Sequence, residues 1–330
     1  MHVKMRIMSV VTTLIVGLVL MVWLGLFSYS AVPVSAMDAV VGVWSPQPDV
    51  IAHVIVQEIR LPRVLEAAIV GASLSCAGTL MQGLTRNPLA SPSLFGVNAG
   101  AALGIALATT VFSTDIISSP IAAMVGGLAA WVLVMVLGGA WKMGAERGQL
   151  VLAGIAISAL CGALTKASVI LVEDQAASVM VWLAGSFAHA SWDTWAWSSP
   201  VLASALILSL LLAPKVNLLV MGDERVKSLG VNLNVLRAAI ALSVLVLVGV
   251  SVSSVGAIAF VGLIVPHIAR LLVGYDHRIL LPVTMLLGVM LTIGADVLSR
   301  AVIFPTETPA GAVLAIIGAP CFLYLVRQKR

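Results

Sequence analysis

Long uncharged windows dominate this chain, and their lengths, more than any fine periodicity, predict its structure. They fall at about 7–28, 64–84, 97–112, 117–140, 149–172, 192–213, 238–269, 279–299 and 309–326. A helix needs about 20 apolar residues to cross the hydrocarbon core of a bilayer, so most of these windows predict single crossings. The window 238–269 is too long for one crossing. Its 32 residues are also too few for two full crossings, which take about 40 at a rise of about 1.5 Å per residue.

Charge resolves the count. If alternate connections share a side, that side collects Lys4, Arg6, Arg86, Lys142, Arg147, Lys215, Arg225, Lys227, Arg237, Arg270, Arg278, Arg327, Lys329 and Arg330. These are fourteen of the eighteen basic residues, and such a bias marks the cytoplasmic face. Arg237 and Arg270 both lie there only if the chain between them crosses twice, turning near SVSSVG (251–256). The expected fold is therefore an all-α polytopic membrane protein of about ten helices, with both termini cytoplasmic and one crossing short or broken within 253–270. Gly256, Gly262 and Pro266 interrupt the pattern there. Irregular backbone at membrane depth survives only inside protein or beside a wet cavity, which makes these three candidate pathway residues. Close packing of small residues is the alternative reading.

Composition agrees with this picture and narrows it. The 330 residues are 61% hydrophobic and 10% charged, against about 25% charged in an average soluble domain. A water-soluble globule is excluded, and residues 1–330 read as one transmembrane domain. Lys4, Arg6 and the apolar run behind them have the outline of a signal peptide, but the run is long enough to span and predicts a retained first helix. Cys76, Cys161 and Cys321 sit in apolar runs without metal-like spacing, so they predict packing residues, with no disulfide or metal site. The stretch 173–193 is too short to span and predicts an outer connection carrying a short helix. Its tryptophans, Trp182 and Trp192, with Trp195 and Trp197 just beyond, suit a membrane interface.

Three arginines fall on the side opposite the basic majority: Arg60 and Arg63 of EIRLPRVLEAAIVGA (58–72), and Arg300. Either they snorkel or pair with Glu58, Glu66 or Asp296, or together they form a docking site for an acidic partner. On the basic side, GDERVKSLGVNLNVLR (222–237) predicts helix, glycine, helix. Asp223 caps a first helix, Gly230 ends it in a left-handed conformation and Asn232 caps the next. Leu229, Val231, Leu233 and Leu236 supply an apolar face, and an amphipathic knob of this kind needs a groove in a partner. The turn GYDHR (274–278) either touches the same partner or holds a local Asp276–Arg278 pair. Lys166, within a predicted crossing, and His267 each read either as a ligand contact or as a packing residue, and Lys166 in the first case faces a water-filled route. NPLASP (87–92) predicts a turn. No GxxxxGK[ST] loop occurs, so the chain does not hydrolyse ATP unaided. No catalytic, metal-binding or nucleic-acid-binding pattern stands out.

Several stretches resemble the permease family of bacterial ABC importers for ferric siderophores and cobalamin. They are EIRLPRVLEAAIVGASLSCAGTLMQGLTRNPLASPSLFGVNAGAALG (58–104), GAIAFVGLIVPHIARLLVGYDHRILLP (256–282), ADVLSR (295–300) and PTETPAGAVLAIIGAPCFLYLV (305–326). LFSYSAVPVSAMDA (26–39) and PAGAVLAIIGAPCF (309–322) are most similar to ferric-citrate permease subunits. The resemblance implies a type II importer permease in the bacterial inner membrane, paired with a second permease that is a related chain or a copy of this one. Further implied partners are two ATPase subunits, a periplasmic binding protein and a ferric siderophore, most closely ferric citrate. It implies that Arg60, Arg63 and Arg300 meet glutamates of the binding protein. It implies too that the knob, with Asp223, Leu229, Gly230, Val231, Asn232 and Leu233, seats in the ATPase subunit, which alone uses ATP; no cofactor is bound by this chain. The rivals are an ion-gradient-driven secondary transporter and a structural membrane subunit. The first wants carboxylates at mid-membrane, whereas here the acids gather near crossing ends.

Overall fold

The computed structural model describes residues 2–92, 96–110, 119–139, 147–171 and 182–327. The regular structure among them is helical throughout. In chain order it comprises α1 (His2–Phe27), α2 (Ala36–Trp44), α3 (Ile51–Thr85), α4 (Val97–Thr110), α5 (Ser119–Leu137) and α6 (Arg147–Leu171). Then follow α7 (Trp192–Val220), α8 (Asp223–Ser228), α9 (Leu233–Val255), α10 (Val261–Val273), α11 (His277–Val302) and α12 (Ala310–Arg327). Seven of these, α1, α3, α5, α6, α7, α9 and α11, are long and apolar enough to cross a bilayer. Three more, α4, α10 and α12, are shorter apolar helices. Together they match the ten predicted segments.

The hub is α3. Its most apolar stretch is 83% buried, against 17% for the peripheral α1. Small residues make this possible: a side chain on Gly71 would strike the Gly288 backbone of α11, and one on Gly78 would strike the Gly262 carbonyl of α10. Thr292 Oγ1 of α11 adds a hydrogen bond to the Ala67 carbonyl at 2.7 Å. The sequence placed the start of this helix near residue 64, but it begins at Ile51. A π-helical turn at Val56–Arg60 carries it through Pro62. Proline lacks an N–H and its ring crowds the carbonyl four residues back, so a widened turn just before it keeps the helix running.

The doubled crossing is broken inside the expected interval. Helix α9 stops at Val255, Gly256 takes φ +80°, and the helix resumes at Val261. At 13 residues, α10 rises roughly 20 Å, short of the roughly 30 Å hydrocarbon core. Protein walls the irregular stretch: the Ser186 N–H donates to the Val255 carbonyl, and the Gly311 N–H to Gly185, both at 2.9 Å. Of the three residues expected to interrupt this region, only Gly256 does so. Gly262 and Pro266 lie within α10. Because Pro266 has no N–H to offer it, the Gly262 carbonyl is left to accept from Gln82 Nε2 of α3 at 3.4 Å.

The first part of the 173–193 connection, including most of its expected short helix, lies outside the described residues, as does Lys142. Beyond it, three of the four tryptophans have protein partners. Trp192 Nε1 donates to the Gln57 carbonyl at 3.0 Å, while Trp182 and Trp197 pack on the core.

Candidate functional site: charged nodes at the two ends of the bundle

At one end, α3, α11 and the 303–309 loop assemble a buried charge cluster. Arg63 spends one edge of its guanidinium on Asp296, with Nε at 2.9 and 3.1 Å from the two carboxylate oxygens and Nη2 at 2.8 Å. Its Nη1 meets both oxygens of Glu307, at 3.0 and 2.8 Å. Planar, bidentate pairing is what a guanidinium does best, and here two carboxylates use it at once. Arg300 reaches Asp296 from one turn further along α11, 3.2 Å away, and gives its remaining donors to the Ser28 and Gly25 carbonyls. It thereby staples the end of α1 to α11. Arg60 differs from both. It is 5% exposed and donates from Nη2 to the Tyr29 carbonyl at 3.3 Å, while its Nε and Nη1 have no partner.

The sequence anticipated Asp296 as a partner but gave no role to Glu307, although that acid follows Arg300 by only seven residues. Glu58 stays exposed. Glu66 does not pair with Arg63 and instead accepts from Ser198 Oγ of α7 at 3.0 and 3.2 Å. Three positions apart, Arg63 and Glu66 share a helix face, but each is drawn to other elements, Arg63 to α11 and the 303–309 loop and Glu66 to α7.

At the opposite end a second aspartate is bracketed by two arginines. Asp223 accepts from Arg86, which follows α3, and from Arg237 of α9 at 2.7 Å. Arg86 Nε also donates to the Leu219 carbonyl at 2.6 Å. This corrects the expected role of Asp223 as a cap. Gly222 occupies the N-cap of α8, and the Asp223 carboxylate is drawn to two guanidinium groups in place of backbone amides. The rest of the knob folds as expected. Gly230, at φ +72°, ends α8; Asn232 Oδ1 accepts from the Asn234 and Val235 N–H groups and caps α9. The apolar face divides: Val226, Leu233 and Leu236 turn into the chain's own core, Val231 is half-buried, and Leu229 and Val235 face outward. In the neighbouring turn Asp276 caps α11 and accepts from Asn217 Nδ2 at 2.7 Å, in place of an ion pair with Arg278. The Arg278 backbone N–H and the Asn217 amide hold its carboxyl below the usual range.

Between the ends, a cavity of about 20 Å³ is lined by Leu74, Ser91, Asn98, Phe260 and Gly262, with Asn98 Oδ1 unpartnered. Lys166 is exposed on α6, on the same helix face as the exposed Leu152, Ile155 and Ile170. His267 is half-buried on α10.

The described residues thus hold ten apolar helices, one of them the short α10, with charged nodes at both ends, and comparison with known proteins identifies the kind of membrane protein. Residues 5–328 match the model of the FecCD transport family. The chain belongs to that family. It is 48% identical over 318 residues to the Fe(3+) dicitrate transport system permease protein FecC of Escherichia coli (strain K12), covering 96% of each chain. It is 38% identical to the Fe(3+)-citrate import system permease protein YfmD of Bacillus subtilis (strain 168), over 99% of this chain and 98% of that one. The hemin transport system permease protein HmuU of Yersinia pestis is 41% identical over 82% of this chain and 83% of its own. A solved structure described as an inward-facing conformation of a metal-chelate type ABC transporter superposes with a TM-score of 0.83 at 30% identity, covering 97% of this chain and 99% of that one. As a FecCD protein the chain is a membrane-spanning permease subunit of an ABC importer, and not itself an enzyme. None of these relatives supports the ion-gradient reading.

Proposed function

We propose that this permease moves ferric citrate, or a closely related ferric hydroxycarboxylate, across the bacterial inner membrane. The observation that carries the substrate is the near full-length identity to the E. coli dicitrate permease. In this reading the Arg60, Arg63 and Arg300 end faces the periplasm and receives a substrate-binding protein, with Arg300 fixing the seat and Arg60 and Arg63 meeting the partner's acids. The knob at 222–237 faces the cytoplasm, as do both termini. There Leu229, Gly230 and Val231, together with Asn232, seat in an ATPase subunit that hydrolyses ATP, while Asp223 and Leu233 tie that seat to the bundle. The exposed Tyr275 of the adjoining turn lies ready for the same partner.

Lys166 supports pairing with a second permease, a related chain or a copy. A charged side chain on an exposed transmembrane face is costly against lipid, and such groups face a bundle interior or a water-filled cavity. A wet path between two permeases meets that need and gives an anionic chelate a cation to pass. Gly256 keeps α10 short by ending α9 before it, and Gly262 brings α10 against Gly78 of α3; with Pro266 they are the remaining candidates to line a pathway. ATP-driven closure would then switch the pair between outward-open and inward-open packings. Reconstituted importer, supplied with binding protein, ATPase and ATP, is expected to accumulate iron from ferric citrate in proteoliposomes. Accumulation of hemin but not of iron from citrate would overturn the substrate assignment.

A further inference from the structure

The outer cluster is formally unbalanced, since three guanidinium groups, those of Arg60, Arg63 and Arg300, face two carboxylates, those of Asp296 and Glu307. The excess charge sits on Arg60, the one member with donors left over. A buried cation with unpaired N–H groups is costly, which favours an anionic acceptor from outside.

The two carboxylates are not equivalent. Asp296 is 1% exposed, is fixed within the last two turns of α11 and serves two arginines. Glu307 is 35% exposed, serves Arg63 alone and sits on the irregular stretch that leads into α12. Its neighbours Ile303 and Phe304 are exposed. The Thr308 N–H bond to the Ser299 carbonyl, at 3.0 Å, holds the loop near the bundle, and three residues further on Gly311 engages Gly185 beside the broken crossing. Of all the ties on Arg63, the one to Glu307 is the one that exchanges at least cost.

We propose that Glu307 is an exchangeable counter-ion. It occupies Arg63 while the outer face is free and yields that arginine to a carboxylate of the docking protein, which Arg60 helps to receive. The exchange moves a tether from the 303–309 loop to the partner and frees the lead-in to α12. This inference rests on the docking role of the outer face, and its test separates the two.

The measurement uses the full importer in lipid nanodiscs and the purified substrate-binding protein of the same import system. Removing the internal competitor with Glu307→Gln, which keeps shape and a neutral acceptor, is expected to tighten docking about fivefold, in the range of a partly exposed ion pair. Arg60→Ala is expected to weaken docking tenfold or more. A nitroxide at Thr306→Cys reports the loop directly and is expected to gain mobility when the binding protein docks. Docking that is unchanged or weaker in Glu307→Gln, or a label that stays fixed, with Arg60→Ala still defective, would overturn the exchange alone. Full docking in both Arg60→Ala and Arg63→Ala would overturn the docking surface as well.

Discussion

Asp296 and Asp223 are chemically the same device, one carboxylate between two arginines, placed at opposite ends of the bundle. Their surroundings differ. The Asp296 side chain is 1% exposed, and its partners Arg63 and Arg300 are 5% and 1% exposed. The Asp223 side chain is 38% exposed, with Arg86 and Arg237 at 23% and 41%. In the dry cluster, loss of one member strands an uncompensated charge. In the wet one, water takes over much of the lost interaction. The buried node therefore sets whether α1, α3 and α11 stay together, while the exposed node positions the knob and leaves it free to move under load.

The largest contrast comes from deleting each aspartate. Asp296→Ala should cost about 3–5 kcal/mol, the usual loss when one partner of a buried ion pair goes. In detergent the variant should lose its folded fraction, read by fluorescence-detected size exclusion on heating. If Asp296→Ala melts like the wild type, the buried cluster is not a structural tie. A smaller loss is expected from Gly78→Val, where added bulk strikes the Gly262 backbone; overpacking of this kind costs about 1–3 kcal/mol. Asp223→Ala should cost less than about 1 kcal/mol of stability, yet lower ATP-driven uptake, because the knob loses its ties to α3 and α9. Equal effects of the two aspartate deletions on melting would erase the distinction between the nodes. The smallest effect should be that of salt. Raising ionic strength toward about 1 M shortens the screening length to about 3 Å, so the wild type should lose a little stability through Asp223, and Asp223→Ala should be insensitive.

Much of this arrangement was legible before any coordinates. The break after Val255 followed from arithmetic, because too few residues separate two arginines that must share a side. The shared side is borne out: Arg237 reaches Asp223, and Arg270 meets Gln82 near Arg86, at one end of the bundle. Gly230 and Asn232 were readable because capping is local chemistry. The outer cluster was less legible. The uncharged window starts at residue 64 and leaves Arg60 and Arg63 outside the helix, whereas the π-turn carries the helix back to Ile51 and both arginines are buried. Nothing local marks Glu307, whose partner lies 244 positions away in sequence, and nothing local tells that Arg86 draws Asp223 away from a capping role. Pairings across the fold belong to packing, which window lengths and capping rules do not encode.

Orientation is open to direct measurement. With Cys321 replaced by Ser, single cysteines at Glu58 and Gly230 can be offered a membrane-impermeant maleimide outside intact spheroplasts. Labelling at position 58, with position 230 modified only after the membrane is opened, is the expected result. The reverse pattern would put the knob on the side without ATP and contradict the importer assignment of both ends.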